Sequence, residues 1–153
     1  MDIEQQPIFR GFRDFRWDAV AYLPYKEEGA APFKAISRQV LFTEPALGCE
    51  LRYFEMAPGG YSTLERHEHM HAVMILRGRG RCLVGEDVRA VQPFDLVTIP
   101  GWSWHQFRAG DAEPLGFLCM VNVQRDRPQL PTEQELTALM SNSAIAEFLS
   151  GPV

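Results

Sequence analysis

From residue 50 to residue 123 the chain is a series of short apolar segments separated by turn residues. ELRYFEM, HAVMILR, RCLVG, VRAV, DLVTI, WHQFR and LGFLCMVNV are rich in β-branched, aromatic and aliphatic side chains. Pro58, Gly59, Gly60, Gly78, Gly80, Gly85, Pro93, Pro100, Gly101, Gly110 and Pro114 punctuate them. No segment has room for a long helix, and regularly spaced strands of this size predict an all-β sandwich or barrel. Upstream, FRWDAVAYL and AISRQVLF read as two further strands on either side of the looser stretch KEEGAAPF.

After Val123 the pattern changes. QRDRPQLP is a polar, proline-broken connector, and Thr132 followed by Glu135 is a capping-box pattern. Leu136, Leu139 and Met140 then recur on one helical face, so a short helix is predicted to begin near Glu133. Ile145, Phe148 and Leu149 predict a further turn or two of helix. This tail, about 132–149, is expected to pack on the barrel or on a partner subunit and is assigned no chemistry. With no internal repeat, residues 1–153 read as a single domain, long enough for a full hydrophobic core.

Composition narrows the partners. A net charge of −5 argues against nucleic acid or an anionic membrane surface, since both require a basic face. Arg77, Arg79 and Arg81 read as the solvated rim of a hairpin rather than a phosphate site. The segment MDIEQQPIFRGF has no basic start leading into an apolar run, and no stretch approaches the ~18 apolar residues of a membrane span, so a cytoplasmic protein is expected. Cys49, Cys82 and Cys119 are odd in number and widely spaced, which fits reduced thiols. Cys119, within LGFLCMV, reads as a small core residue.

The candidate chemistry lies in LERHEHMHAVMILRG, where Glu65, His67, His69 and His71 alternate. The fourth histidine, His105, lies downstream. Imidazole nitrogen and carboxylate oxygen are the ligand types that hold Zn, Mn, Fe, Ni or Cu. On a straight strand, side chains two apart share a face and can meet one ion, whereas side chains four apart are separated by roughly 13 Å. Two arrangements follow. Glu65 and His67 form a pair that His71 joins if Glu68, His69 and Met70 bend the chain back, which turns His69 elsewhere. Alternatively, His67 and His69 form the pair and His71 lies outside.

These residues resemble the cupin superfamily of small β-barrels. Its first motif has a glycine, five residues, H-x-H, three or four residues, a glutamate, six residues and a glycine. Gly59, Glu65, His67, His71 and Gly78 reproduce that spacing, with Glu65 at the first histidine position and His71 at the glutamate position. A frame shifted by two places makes His67 and His69 the H-x-H pair but puts Val73, which cannot bind a metal, at the acid position. The second motif has a glycine, five residues, P-x-G, two residues, a histidine, three residues and an asparagine. It maps onto Phe94, Pro100, Gly101, Trp102, His105 and Ala109, with Phe94, Trp102 and Ala109 departing from the pattern.

The resemblance implies a double-stranded β-helix, or jelly-roll, barrel that pairs as a homodimer. It implies a divalent metal ion held by Glu65, His67, His71 and His105, with His69 the alternative ligand. Four protein ligands leave one or two positions open on a five- or six-coordinate ion, available to water, dioxygen or a substrate's oxygen atoms. Two function classes follow. The barrel is an enzyme carrying out oxidation, isomerisation or lyase chemistry on a small oxygenated substrate, or it is a metal-dependent ligand-binding or sensor module. A convergent acid or base within hydrogen-bond reach of the open positions favours the enzyme, and a purely apolar wall favours the binder. Tyr61, Gln106 and Arg52 are possible polar contacts, and Trp102 and Trp104 read either as the barrel mouth or as aromatic packing.

Overall fold

The computed structural model describes residues 6–24 and 34–151. The looser stretch 26–33 lies outside them. The elements in chain order are β1 (Phe12–Arg13), β2 (Arg16–Trp17), β3 (Leu23–Pro24), β4 (Lys34–Glu44), β5 (Cys49–Tyr61), β6 (His71–Arg77), β7 (Gly80–Val84), β8 (Asp87–Val91), β9 (Leu96–Ile99), β10 (His105–Ala109), β11 (Leu115–Asn122), α1 (Glu133–Met140) and α2 (Ser143–Ser150). The seven central segments predicted from residue 50 onward all form strands, and every pairing is antiparallel.

One long strand makes the sheet curl. β5 pairs with β11 from Cys49 to Met56, but meets β10 only through Tyr61 and Arg108. Between these points Gly59 adopts φ +72° and its N–H donates to the Gly110 carbonyl. The Pro58-Gly59-Gly60 run, expected to separate strands, therefore turns a corner within one strand. Glycine accepts the left-handed conformation without a Cβ clash, which lets β5 leave one layer and enter the other. The resulting order is β8-β7-β10-β5-β11-β6-β9, with β4 also on β5. Period-2 alternation then points Val73 and Ile75 of β6, Phe107 of β10 and Phe117 of β11 into one core.

The N-terminal strand prediction fails in an instructive way. FRWDAVAYL does not run as one strand: β1 and β2 form a tight hairpin with Asp14 and Phe15 at positive φ, and the chain turns again at Ala19. The Asp18 carboxylate accepts the Gly11 N–H, fixing the reversal. Phe15 and Trp17 then pack on Tyr53, covering the outer face of β5.

The tail holds two short helices, the second where a further turn or two of helix is predicted. Thr132 and Glu135 form the reciprocal capping box of α1, and Asn142 caps α2. Ile145 and Phe148 of α2 are buried against Leu83, so the tail packs on the outside of its own β7–β8 layer. No helix among the described residues is long and apolar enough to cross a membrane. The arginine rim is absorbed structurally: Arg77 pairs with Glu55 at 3.1 Å, Arg79 donates to Gln92, and Arg81 lies over Phe148.

Two departures from the glycine pattern keep the backbone that glycine favours. Phe94 has φ +72° and Trp102 has φ +62°, both in the left-handed region. A side chain there costs on the order of 1 kcal/mol. Because Phe94 is 76% exposed, it gains little burial to offset that cost. Phe94→Gly is expected to raise unfolding stability by up to about 1 kcal/mol. At Gly78, φ is +73° and a Cβ would collide with the Pro114 carbonyl oxygen, so Gly78→Ala should cost about 2 kcal/mol or more. Urea midpoints moving in these opposite directions would bear out the assignment, and an unchanged midpoint for Gly78→Ala would contradict it.

Candidate metal centre

The candidate ligands come from two chain segments that backbone hydrogen bonds bring together. Glu65 and His105 form an isolated antiparallel bridge, Glu65 N–H donating to His105 O at 3.3 Å and His105 N–H to Glu65 O at 3.0 Å. This sets the Glu65 carboxylate 4.0 Å from His105 Nε2, although the residues are distant in sequence. His67 is held next to them by its carbonyl, which accepts the Trp102 N–H at 2.7 Å. His71 opens β6 opposite Ile99 of β9.

Between His67 and His71 the chain bends, as the first arrangement requires. Asp126 holds the bend from the far side of the fold. Its carboxylate accepts the Glu68 N–H at 2.8 Å, the His69 N–H at 3.1 Å and lies 2.7 Å from His69 Nδ1. Desolvation acts the other way, but these hydrogen bonds hold the Asp126 carboxyl well below the usual carboxylate range. Gly101 packs so closely under the bend that a Cβ there would collide with the Glu68 carbonyl oxygen.

The bend returns His71 to His67, with their Nε2 atoms 2.8 Å apart. For comparison, ligand atoms at about 2.1 Å from an ion and at right angles to one another lie about 3 Å apart. His67 Nδ1 is 2.7 Å from the His69 carbonyl, and His105 Nδ1 is 2.9 Å from the Ser103 carbonyl. Carbonyl oxygens only accept, so both Nδ1 atoms carry the proton and both Nε2 atoms present lone pairs. That tautomer suits a ligand, and the donor set of neutral imidazoles with one carboxylate suits a divalent ion. Two candidate triads occur among the described residues, Glu65–His67–His105 and the all-histidine His67–His69–His71, each with ligand atoms within 4.8 Å of one another.

The two triads differ in how their lone pairs are aimed. The His67 and His69 rings are parallel within 2° and stacked with centroids 3.6 Å apart. An imidazole lone pair lies in its ring plane, so one ion cannot lie in both of these planes. The His67 and His105 rings are instead inclined at 70°, and those of His71 and His105 at 59°.

Burial sets the protonation of the cluster. It pushes His71 down to about 2, with the neighbouring His105 and His67 adding to the effect. It pushes His105 down to about 4 against the opposing pull of the Ser103 carbonyl. His67 is lowered first by burial and then by His69. All three are therefore neutral at physiological pH.

Glu65, His71 and His105 open onto a cavity walled by Phe54, Phe107 and Phe117. Of the three possible polar contacts only Arg52 lines it. Gln106 instead donates to the Ser62 carbonyl, and Tyr61 lies under Arg108. Neither tryptophan lines it: Trp104 carries the Arg66 guanidinium over its ring, and Trp102 is half exposed. Cys119 and Thr63 line the cavity and were not singled out in the sequence as site residues. The alternation Leu115, Phe117, Cys119, Val121 along β11 is the signal that turns Cys119 inward. Its Sγ lies 3.1 Å from His71 Nδ1 and 3.7 Å from Arg52 Nη2.

Comparison with known proteins gives a consistent picture. A family profile for the cupin domain matches residues 52–121. A Rhodospirillum rubrum protein named 1-methylthio-D-xylulose 5-phosphate methylsulfurylase is 62% identical over 144 residues, covering 94% of this chain and 92% of that protein. A cupin-2 domain crystal structure from the same organism superposes with a TM-score of 0.85 at 60% identity, covering 95% of this chain and 98% of that one. A cupin 2 conserved barrel domain protein from Rhodopseudomonas palustris superposes with a TM-score of 0.87 at 56% identity, covering 92% and 98%.

The depressed histidines make a prediction for the metal-free protein. The unfolded chain takes up protons near pH 6.5, while folded His105 does so only near 4 and His71 lower still. The unfolded state therefore binds more protons below pH 6.5, and stability is full above that value and lost as pH falls. Between pH 6.5 and 5, above the range of most carboxylates, these two groups should cost on the order of 3 kcal/mol. Urea unfolding of chelator-treated protein across this window checks the sign and size. A flat profile would show that the histidines are not buried neutral.

Proposed function

This chain belongs to the cupin family, and on that premise we propose that it is an enzyme acting on a small oxygenated organic substrate through a divalent metal held by Glu65, His67, His71 and His105. The observation that carries the reading is the shared orientation at His67 and His105. Each ring commits its Nδ1 proton to a backbone carbonyl and leaves its Nε2 lone pair free, His105 Nε2 lying 4.0 Å from the Glu65 carboxylate and His67 Nε2 2.8 Å from His71 Nε2. His69, whose ring is parallel to that of His67 and stacked on it, stands outside the set.

A divalent ion held there supplies Lewis-acid polarisation of a substrate oxygen. The rest falls to the protein. Glu65 supplies the one negative charge of the set and so leaves a net positive site for oxygen donors. The aromatic wall of Phe54, Phe107 and Phe117 keeps water from the reacting atoms and strengthens electrostatic interactions within the cavity. Arg52, Thr63 and Cys119 bring polar groups into that wall. The enzyme is preferred to a sensor module because the Rhodospirillum rubrum relative, matched along nearly its whole length, carries an enzyme's name. The substrate class we read is the one in the name of the Rhodospirillum rubrum relative, a phosphorylated ketose carrying a methylthio group, because that protein matches this chain along nearly its whole length. A homodimer and a cytoplasmic location belong to the same proposal.

The test uses protein purified without a metal-carrying tag. Elemental analysis should find about one divalent ion per chain, and chelation should abolish turnover of 1-methylthio-D-xylulose 5-phosphate, with recovery on adding metal back. His105→Ala should lose at least about tenfold in metal affinity while keeping the β-sheet circular dichroism of the parent, since His105 joins the sheet through its backbone, which alanine retains. Full turnover in rigorously metal-free protein, or wild-type affinity in His105→Ala, would refute the reading.

A further inference from the structure

Arg52 is a buried cation with too few partners. It projects from β5 into the cavity that Glu65, His71 and His105 share, and it is 6% exposed. Burying a guanidinium is unfavourable unless hydrogen bonds and an opposite charge replace water. Its Nε has no hydrogen-bond partner among the described residues. The Glu50 carboxylate lies 3.8 Å from that nitrogen, beyond hydrogen-bond range, and is shared with Arg125 at 3.5 Å. Among the described residues Nη2 has only the Cys119 sulfur, a weak acceptor, at 3.7 Å, and the face of the group rests on the Phe54 ring. A guanidinium offers five N–H donors in a planar fork suited to two oxygens of one anion.

The mismatch between cost and partners marks a place for a ligand. A core position that needed only volume would carry an apolar side chain, and replacing a buried ion pair with one is often neutral or stabilising. We infer that Arg52 is the anion-recognition residue of this cavity, its guanidinium binding an oxyanion group of the substrate while the ion held by Glu65 and the histidines takes other oxygens of the same molecule. The inference rests on the metal-dependent reading above and adds the substrate's charge to it. Arg52 thereby gains the partner its Nε lacks and a stronger acceptor than sulfur for Nη2, and the ligand is oriented by two points, one cationic fork and one metal. Phosphate monoesters and carboxylates share this chemistry. The proposed methylthio-ketose phosphate is an example of the first.

The experiment reads Arg52 directly. In the zinc-loaded protein, the ¹⁵Nε–¹H resonance of Arg52 is followed while inorganic phosphate and, separately, acetate are added. A saturable shift with phosphate assigns a phosphate monoester, a shift with acetate alone assigns a carboxylate, and an unmoved resonance in both overturns the inference. Arg52→Gln is expected to keep the wild-type metal content and to raise KM for 1-methylthio-D-xylulose 5-phosphate about tenfold or more with a smaller effect on kcat, and Arg52→Lys should recover part of the loss. A KM in Arg52→Gln within about twofold of wild type would also overturn it. If the variants fail to fold, the wild-type resonance still decides. If the protein turns over no such substrate, the functional reading fails while the anion titration still tests Arg52, and metal content reports separately on the ligands.

Discussion

The site depends on one reversal of the chain, at Glu68–Met70, and on the carboxylate that holds it. Along a straight strand His67 and His71 would be far apart; here their Nε2 atoms are 2.8 Å apart. Asp126 achieves this by collecting the Glu68 and His69 N–H groups and the His69 ring onto one carboxylate. Three charge-assisted bonds to a single anion are strong because they satisfy backbone donors that the bend would otherwise leave unpaired. On the opposite side, Trp102 N–H and the close approach of Gly101 restrain the same loop. The bend is thus gripped between two loops.

What the reversal creates is costly for stability and useful for chemistry. Three imidazoles crowd into a space where protonation is suppressed by burial and by one another, so the folded protein holds them as neutral donors. Beside them a guanidinium and a thiol share the same apolar cavity. The large core of β5, β6, β10 and β11 supplies the burial that supports such an arrangement, and polar groups of this kind concentrate where a protein acts rather than where it merely folds.

Much of the fold was legible because period-2 patterning and turn residues are local signals. HAVMILR and LGFLCMVNV declare their strands, and the Thr132–Glu135 box declares its helix. FRWDAVAYL misleads because its composition suits a strand while its conformation is decided by Asp18 reaching back to Gly11. Pro58-Gly59-Gly60 misleads in the other direction, since a glycine corner within β5 looks like a gap between strands. The histidine cluster and its link to His105 were visible, and the glycine-like backbone at Phe94 and Trp102 shows that motif geometry outlasts motif identity. The sequence spacing allows both His69 and His71 as the further ligand, because ring orientation depends on how residues 68–70 bend, and that bend is held by Asp126, far away in sequence. Arg52 was likewise not separable from Tyr61 and Gln106, because which polar residue enters the cavity depends on how the layers close.

The central claim is that His71, and not His69, completes a site with Glu65, His67 and His105. X-ray absorption of the metal-loaded protein counts imidazole ligands directly, through the multiple scattering of the ring at metal–nitrogen distances of about 2.0 to 2.2 Å. Compared across wild type, His71→Ala and His69→Ala, the spectra should show three imidazoles, two and three respectively. An imidazole lost from His69→Ala and retained in His71→Ala would contradict the account and move the ion to the other triad.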